Sequence, residues 1–162
     1  MEIIDDFLER KDAEFVFEYC FTTSYTYGET DLGVYGSTPP TGMVHNIESD
    51  ESIYNLFESK IRDACDIVKG MNLYRMYINC FAPSENPYFH IDNDNGLTFL
   101  YYVTNHDWGE NDGGETQFLI NDEIRGVLPL SNRLVGFDAT LLHRATSFRD
   151  RNRFTLSAKF SS

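Results

Sequence analysis

The spacing of apolar residues changes near Gly70. Before it, Ile53, Leu56, Phe57, Ile61, Ala64, Cys65 and Val68 recur at helical intervals and form one apolar stripe. This predicts a helix from Asp50 to Lys69, with Gly70 as its stop. At the N-terminus, residues 1–4 read as a short strand. Asp5 or Asp6 is placed to cap a helix reaching about Cys20, because a carboxylate accepts hydrogen bonds from the free N–H groups of a first turn. Between the two helices lies a polar stretch, Thr22 to Ile47, with a Pro-Pro pair and several tyrosines. Loops of this length in a small domain are mostly functional or disordered. Short strands fit within it, and residues 22–48 read as a lid over a binding site.

From Leu73 onward the period falls to two. The predicted strands are 73–81, 97–104, 115–120, 124–129, 132–138 and 153–160, separated by turn signals such as Asn93 to Gly96, Asn105 to Gly114 and Asn121-Asp122. Many short strands with turns between them indicate a sandwich or barrel. The expected fold is mainly β with supporting helices, a double-stranded β-helix of the jelly-roll, cupin-like kind. One domain is expected over residues 1–162, with helical support in 5–70 and a catalytic β core in 71–162.

Composition narrows the partners. The formal net charge of −13 repels phosphate backbones and anionic bilayers, so neither nucleic acid nor membrane is an expected partner. Cys20, Cys65 and Cys80 are odd in number and widely spaced, which offers no disulfide framework. Cys20 and Cys65 fall on apolar helix faces and read as core residues. The first residues, MEIIDDFLERKD, are acidic and lack a long apolar run, so neither a signal peptide nor a membrane anchor is expected. A reducing cytoplasmic setting follows as the simplest expectation.

The candidate chemistry lies in the β half. In NPYFHIDNDNG, His90 and Asp92 are two apart, so an extended backbone puts both on one face. His143, in DATLLHRATSF, is the candidate third ligand. Two histidines and one carboxylate occupy one face of an octahedral Fe(II) and leave the opposite face open to other ligands. A lone His-x-Asp is a weak signal, and the competing reading of either histidine is a hydrogen-bonded structural residue.

Arg153 follows His143 by ten residues and opens the segment RFTLSAKF. There Arg153, Thr155, Ser157 and Lys159 share one face, and Phe154, Leu156, Ala158 and Phe160 share the other. A guanidinium beside a hydroxyl inside a barrel suits the far carboxylate of a dicarboxylate. An isolated buried arginine is costly, so it implies an anionic partner. The alternative is pairing with a protein acid at the barrel rim.

Taken together, HIDNDNGLTFLYYVTNHDW, GGETQF and PLSNRLVGFDATLLHRATSFRDRNRFTLSAKF resemble the 2-oxoglutarate- and Fe(II)-dependent dioxygenases, most closely the prolyl 4-hydroxylase and prolyl hydroxylase branch. The resemblance covers roughly residues 71–160. It implies that His90, Asp92 and His143 ligate iron, and that Arg153 and Tyr102 hold the distal carboxylate of 2-oxoglutarate, with Thr155 or Ser157 assisting. Gly113 and Gly114 match the glycine pair that opens the next strand. Where relatives often carry a tyrosine near the metal, this chain has Phe81, with Asn79 or Tyr77 on the same strand as substitutes for the lost hydroxyl. Many collagen-type relatives carry lysine where this chain has Arg153.

The implied reaction consumes O2 and 2-oxoglutarate at Fe(II), gives succinate and CO2, and hydroxylates a prolyl residue of a peptide or protein. Ascorbate is an implied accessory reductant. Tyr88 and Trp108 either line a substrate groove or pack under a loop. His45 and His106 read as surface or loop residues, and Arg144 as pointing away from His143. The alternatives are a hydroxylase of a free amino acid or other small metabolite, and a non-catalytic β-barrel binding module.

Overall fold

In a computed structural model of the chain, described for residues 1–28, 30, 32–33, 36–37, 39–83 and 85–162, the alternating segments pair into two antiparallel sheets. In chain order the elements are β1 (Glu2–Ile4), α1 (Arg10–Thr22), β2 (Thr26–Tyr27), β3 (Leu32–Gly33), β4 (Gly36–Ser37), β5 (Met43–Asn46) and α2 (Ser52–Ala64). A 3-10 turn (Asp66–Val68) precedes β6 (Asn72–Phe81), β7 (His90–Ile91), β8 (Leu97–Val103) and β9 (Thr116–Ile120). The chain ends with β10 (Glu123–Val127), β11 (Leu134–Asp138), β12 (His143–Ala145) and β13 (Arg153–Ser161). The larger sheet runs β1-β11-β8-β13-β6-β5-β2 and the smaller β10-β9-β12-β7-β3-β4. This is the expected double-stranded β-helix.

Strand β13 is central to the larger sheet, between β8 and β6, and both its faces are buried. Phe154, Leu156, Ala158 and Phe160 join Val16, Cys20, Ile53, Phe57 and Ile61 in one core cluster, so the helices cover the outer face as expected. Phe57 sets its ring edge-on to Phe7 at 5.7 Å and to Tyr101 at 5.6 Å. Burying such a ring stabilises the folded state by roughly 1.5–3 kcal/mol. A second cluster, with Leu100, Tyr102, Phe118 and Phe137, fills the space between the sheets. All three cysteines are free and buried.

Helix α1 begins at Arg10, later than the capping aspartates predict, and no side chain caps it at Glu9. Asp5 is committed elsewhere, holding Arg133 through both oxygens at 2.6 and 2.9 Å, and Asp6 adopts a left-handed backbone with φ of 53°. The second predicted helix also ends early. Cys65 turns to an extended conformation (φ −127°), and the 3-10 turn follows. Arg62 locks this break by donating to the carbonyls of Val68 and Met71 at 2.8 and 3.1 Å. Ala64, expected on the buried stripe, is exposed, whereas Cys65 and Val68 remain in the core.

Within the 22–48 stretch, β5 pairs with β6 and β2 extends that edge, while β3 pairs with β7 in the smaller sheet. The lid reading falls partly on residues 29, 31, 34, 35 and 38, which lie outside the described residues. Gly96 is required at its turn. Its φ is +101°, and a Cβ there would stand 2.1 Å from the carbonyl oxygen of Phe160, so only glycine lets the turn after Asp92 close onto β13. Among the described residues no helix is long and apolar enough to cross a membrane.

Candidate metal centre

Short strands β7 and β12 pair antiparallel with His90 directly opposite His143. Their ring centroids are 4.5 Å apart. Asp92 follows β7, where its backbone N–H donates to the Ala139 carbonyl at 2.9 Å. Its carboxylate oxygens stand 3.7 Å from His90 Nε2 and 3.7 Å from His143 Nε2. One ligand atom from each residue lies within 4.8 Å of the others, the only such group among the described residues.

The histidines are oriented as ligands. Each Nδ1 faces a backbone carbonyl, Tyr88 at 3.0 Å for His90 and Leu141 at 2.8 Å for His143. A neutral ring that donates from Nδ1 leaves its Nε2 lone pair free for a metal. Phe118 stacks on His143 at 5.8 Å and Phe137 meets it edge-on at 4.7 Å, which fixes the ring plane. The expected pairing of His90 with Asp92 on one side, and the arrival of His143 from a distant segment, are both present. Two neutral imidazoles and one carboxylate form a donor set that suits a divalent transition metal with open positions.

Protonation states agree with that role. Burial pushes the His143 pKa down from 6.5 to about 4, against the attraction of Asp92. Burial opposes ionisation of Asp92, but His143, Lys159, His90 and Thr98 together hold its carboxyl down to about 2. In the metal-free protein, the unfolded chain therefore binds a proton at His143 between pH 6.5 and about 4 that the folded chain does not. Stability fully present above pH 6.5 is lost as pH falls through that window, by about 3 kcal/mol from this group. Asp92 adds a further loss between pH 3.8 and about 2. Urea unfolding of chelator-treated protein should record the first decline, and a flat profile from pH 6.5 to 4 would contradict a buried neutral His143.

The triad shares one cavity with Thr41, Tyr77, Asn79, Phe81, Arg153 and Thr155. Arg153 is buried, and its Nε donates to the Gly114 carbonyl at 2.8 Å while Nη2 donates to Thr116 Oγ1 at 2.8 Å. Among the described residues no carboxylate lies within ion-pair distance of it, so direct pairing with a protein acid is not seen there, although the Glu115 charge attracts it. Gly113 and Gly114 have φ of 73° and 83° and open β9 as expected. A Cβ on Gly114 would lie 2.6 Å from the Phe148 ring, so the pair lets a backbone carbonyl reach the guanidinium.

Tyr102 is fully buried beside Arg153, its ring centroid 5.4 Å from the guanidinium carbon. Its hydroxyl bonds Thr116 Oγ1 at 2.7 Å and donates to the Val127 carbonyl at 3.1 Å. Thr116 is thus where Arg153 and Tyr102 converge, and sequence reasoning missed it. Its inward position, two before buried Phe118 on a period-two strand, was the available signal. Thr155 Oγ1 is buried and has no hydrogen-bond partner among the described residues, an orphaned donor in the wall of the cavity. Ser157 lines the same cavity.

Lys159, placed by the strand period on the face of Arg153 but given no role there, also meets the centre. Its Nζ lies 2.9 Å from Asp92 Oδ1, on the face that already carries Arg153. Burial opposes its charge, but Tyr77 and Asp92 outweigh that and hold its pKa above the ordinary lysine range. Thr98 donates to the other Asp92 oxygen at 2.6 Å.

Other candidates fall outside the cavity. Trp108 donates to the Gly113 carbonyl at 2.9 Å and braces the loop before β9, whereas Tyr88 is exposed. Arg144 points away from His143, stacks on Phe89 at 4.5 Å and bonds Gln117 at 2.9 Å. His106 is an exposed loop residue. His45 departs from the surface reading, since it lies on β5 and bonds Tyr19 Oη at 2.9 Å and the Ser24 carbonyl at 2.9 Å.

No family model matches this chain, and no curated protein matches its sequence. Solved structures do match. A Pseudomonas putida prolyl-4-hydroxylase aligns at TM-score 0.78 with 15% identity, over 98% of this chain and 90% of that one. A Trichoplax adhaerens prolyl hydroxylase, in complex with a hypoxia inducible factor oxygen degradation domain peptide, aligns at TM-score 0.78 with 16% identity, over 98% and 82%. HygX from Streptomyces hygroscopicus, with nickel and 2-oxoglutarate bound, aligns at TM-score 0.76 with 8% identity, over 98% and 81%. At these identities the likeness is one of fold, and by it the chain has the double-stranded β-helix of those three proteins.

Proposed function

We propose that this protein is a 2-oxoglutarate- and Fe(II)-dependent dioxygenase that hydroxylates a prolyl residue in a peptide or protein. One observation carries the co-substrate. A buried arginine without a carboxylate partner among the described residues lines the same cavity as His90, Asp92 and His143, next to the orphaned hydroxyl of Thr155. A dicarboxylate that reaches from the metal to Arg153 and Thr155 satisfies both groups at once.

His90, Asp92 and His143 would hold Fe(II). Arg153 would grip the distal carboxylate of 2-oxoglutarate, with Thr155 donating a hydrogen bond. Tyr102 and Thr116 would keep the guanidinium in place from behind, because both already bond to it or to each other. When bound, the iron with 2-oxoglutarate and O2 supplies the oxidant that turns a C–H bond into an alcohol, giving succinate and CO2. The chain's own part is orientation and exclusion of water. Phe81, Leu100 and Pro87 furnish apolar wall around the metal. Phe81 lies against Gly42, where a Cβ would stand 2.6 Å from its ring. Asn79 and Tyr77 line the cavity, and one of them would stand in for the hydroxyl that Phe81 lacks.

The prolyl substrate is supported by two neighbours of the same fold that are prolyl hydroxylases, one of them bound to a peptide. A small metabolite is the alternative, since HygX is also seen with hygromycin B bound. Product analysis decides between them. Incubation with Fe(II), 2-oxoglutarate and a panel of proline-containing peptides should give succinate in step with a one-oxygen mass gain on proline. Succinate formation that responds to small amino acids or metabolites, with no peptide modified, would replace the peptide reading by the metabolite one.

A further inference from the structure

Lys159 is out of place for a site that must bind a divalent cation. It is almost completely buried, and its ammonium lies 2.9 Å from Asp92 Oδ1 and 5.0 Å from the centroid of the Tyr77 ring. A buried charge costs several kcal/mol, which an apolar side chain of similar volume would avoid. A cation beside a metal-binding carboxylate also opposes the metal. The ion pair with Asp92 offsets the first cost but not the second, so the position carries a penalty to metal affinity and needs a compensating role.

The register supplies one. On β13, Lys159 stands directly opposite Thr98 of β8, and the two side chains hold the two oxygens of the same carboxylate. Asp92 itself lies on a turn, anchored through its backbone to Ala139. Its carboxylate orientation is thus set from the larger sheet, by Lys159 and Thr98. Charge gives the second consequence. A divalent ion on two neutral imidazoles and one carboxylate leaves a net charge of about +1, and Lys159 raises it to about +2. That favours an anionic chelating ligand on the metal over the metal alone.

We propose that Lys159 is a positioning residue that clamps Asp92 together with Thr98 and makes the metal-loaded site selective for anionic chelating ligands. This rests on the proposed metal role of His90, Asp92 and His143 but not on 2-oxoglutarate being the co-substrate.

The test uses cobalt(II), whose visible absorption reports binding without turnover, and two anions, oxalate and 2-oxoglutarate. In Lys159→Met, Thr98 still holds Asp92, so cobalt affinity should change by less than about tenfold or increase. Oxalate affinity for the cobalt-loaded protein should fall roughly tenfold or more, and 2-oxoglutarate affinity should fall with it. Lys159→Arg keeps the charge and should retain near wild-type oxalate affinity, which holds the test open if the methionine variant folds poorly. Unchanged oxalate affinity in Lys159→Met, or an equal loss of cobalt and oxalate affinity, would overturn the proposal. Wild-type protein that binds cobalt and oxalate but not 2-oxoglutarate would defeat the co-substrate reading alone, and the oxalate comparison would still decide the role of Lys159.

Discussion

Replacing His143 by alanine should abolish turnover, with substrate-coupled succinate formation reduced at least about 1,000-fold, equivalent to about 4 kcal/mol. The residue is the hinge of the centre. It faces His90 across the β7–β12 pair, its Nδ1 is held by the Leu141 carbonyl, and Phe118 and Phe137 clamp its ring. His90 and Asp92 alone come from one short segment and cannot complete a facial set of three ligands. Anaerobic addition of Fe(II) and 2-oxoglutarate to the wild type should produce a visible charge-transfer band, and the alanine variant should show none. The loss must be separated from misfolding, because the deletion leaves a void between two aromatic rings. Far-ultraviolet circular dichroism on the same sample does so, since the strands of both sheets stay paired if only the ligand is gone. Retained substrate-dependent succinate formation in a folded variant would sink the oxygenase assignment.

Arg153→Met is expected to separate function from stability. The guanidinium is fully buried, donates to Gly114 and Thr116, and has no carboxylate partner among the described residues. A charge-assisted hydrogen bond contributes about 1.5–3 kcal/mol, so loss of a forked contact should weaken 2-oxoglutarate binding by roughly 100-fold or more. Metal affinity should be unchanged, because Arg153 does not touch the triad. Stability of the ligand-free protein should stay within about 1 kcal/mol of wild type or rise, since methionine removes a buried charge that no carboxylate pairs directly, at the expense of the acceptors at Gly114 and Thr116. Burial lowers the Arg153 pKa, the direction expected of a cation paying for desolvation. A structural arginine would behave in the opposite way, with lower stability and intact 2-oxoglutarate binding. The two quantities to measure are the 2-oxoglutarate dissociation constant by titration calorimetry and the urea midpoint.

Much of this architecture is written locally. Period-two alternation is a property of each segment, and six strands stand where it predicts them, within a few residues at either end. The inward face of β13 follows from the same rule, which is why Arg153 and Thr155 could be named before any contact was known. His90 and Asp92 were legible as candidate ligands because two side chains two residues apart need only an extended backbone to face the same way.

What the chain could not announce depends on partners distant in sequence. Strands β7 and β12 are two and three residues long, too short to show any period, and they exist because β12 pairs with β9 and β7 with β3, which brings His90 opposite His143 in the smaller sheet. Helix α1 starts after Asp5, which finds Arg133 across the fold, and propensity gives no sign of that ion pair. The strand period put Lys159 on the face of Arg153 and Thr116 inward on β9, but the partners that give each its role were hidden for the same reason. Lys159 gains its meaning only when β13 sets it opposite Thr98 and the β7–β8 turn lowers Asp92 between them. The sequence by itself determined the strand pattern, the apolar helix stripe and the candidate ligand types. The tertiary structure alone decided which side chains meet, because a contact across two sheets is fixed by register and packing over the whole domain, and no local run of residues encodes it.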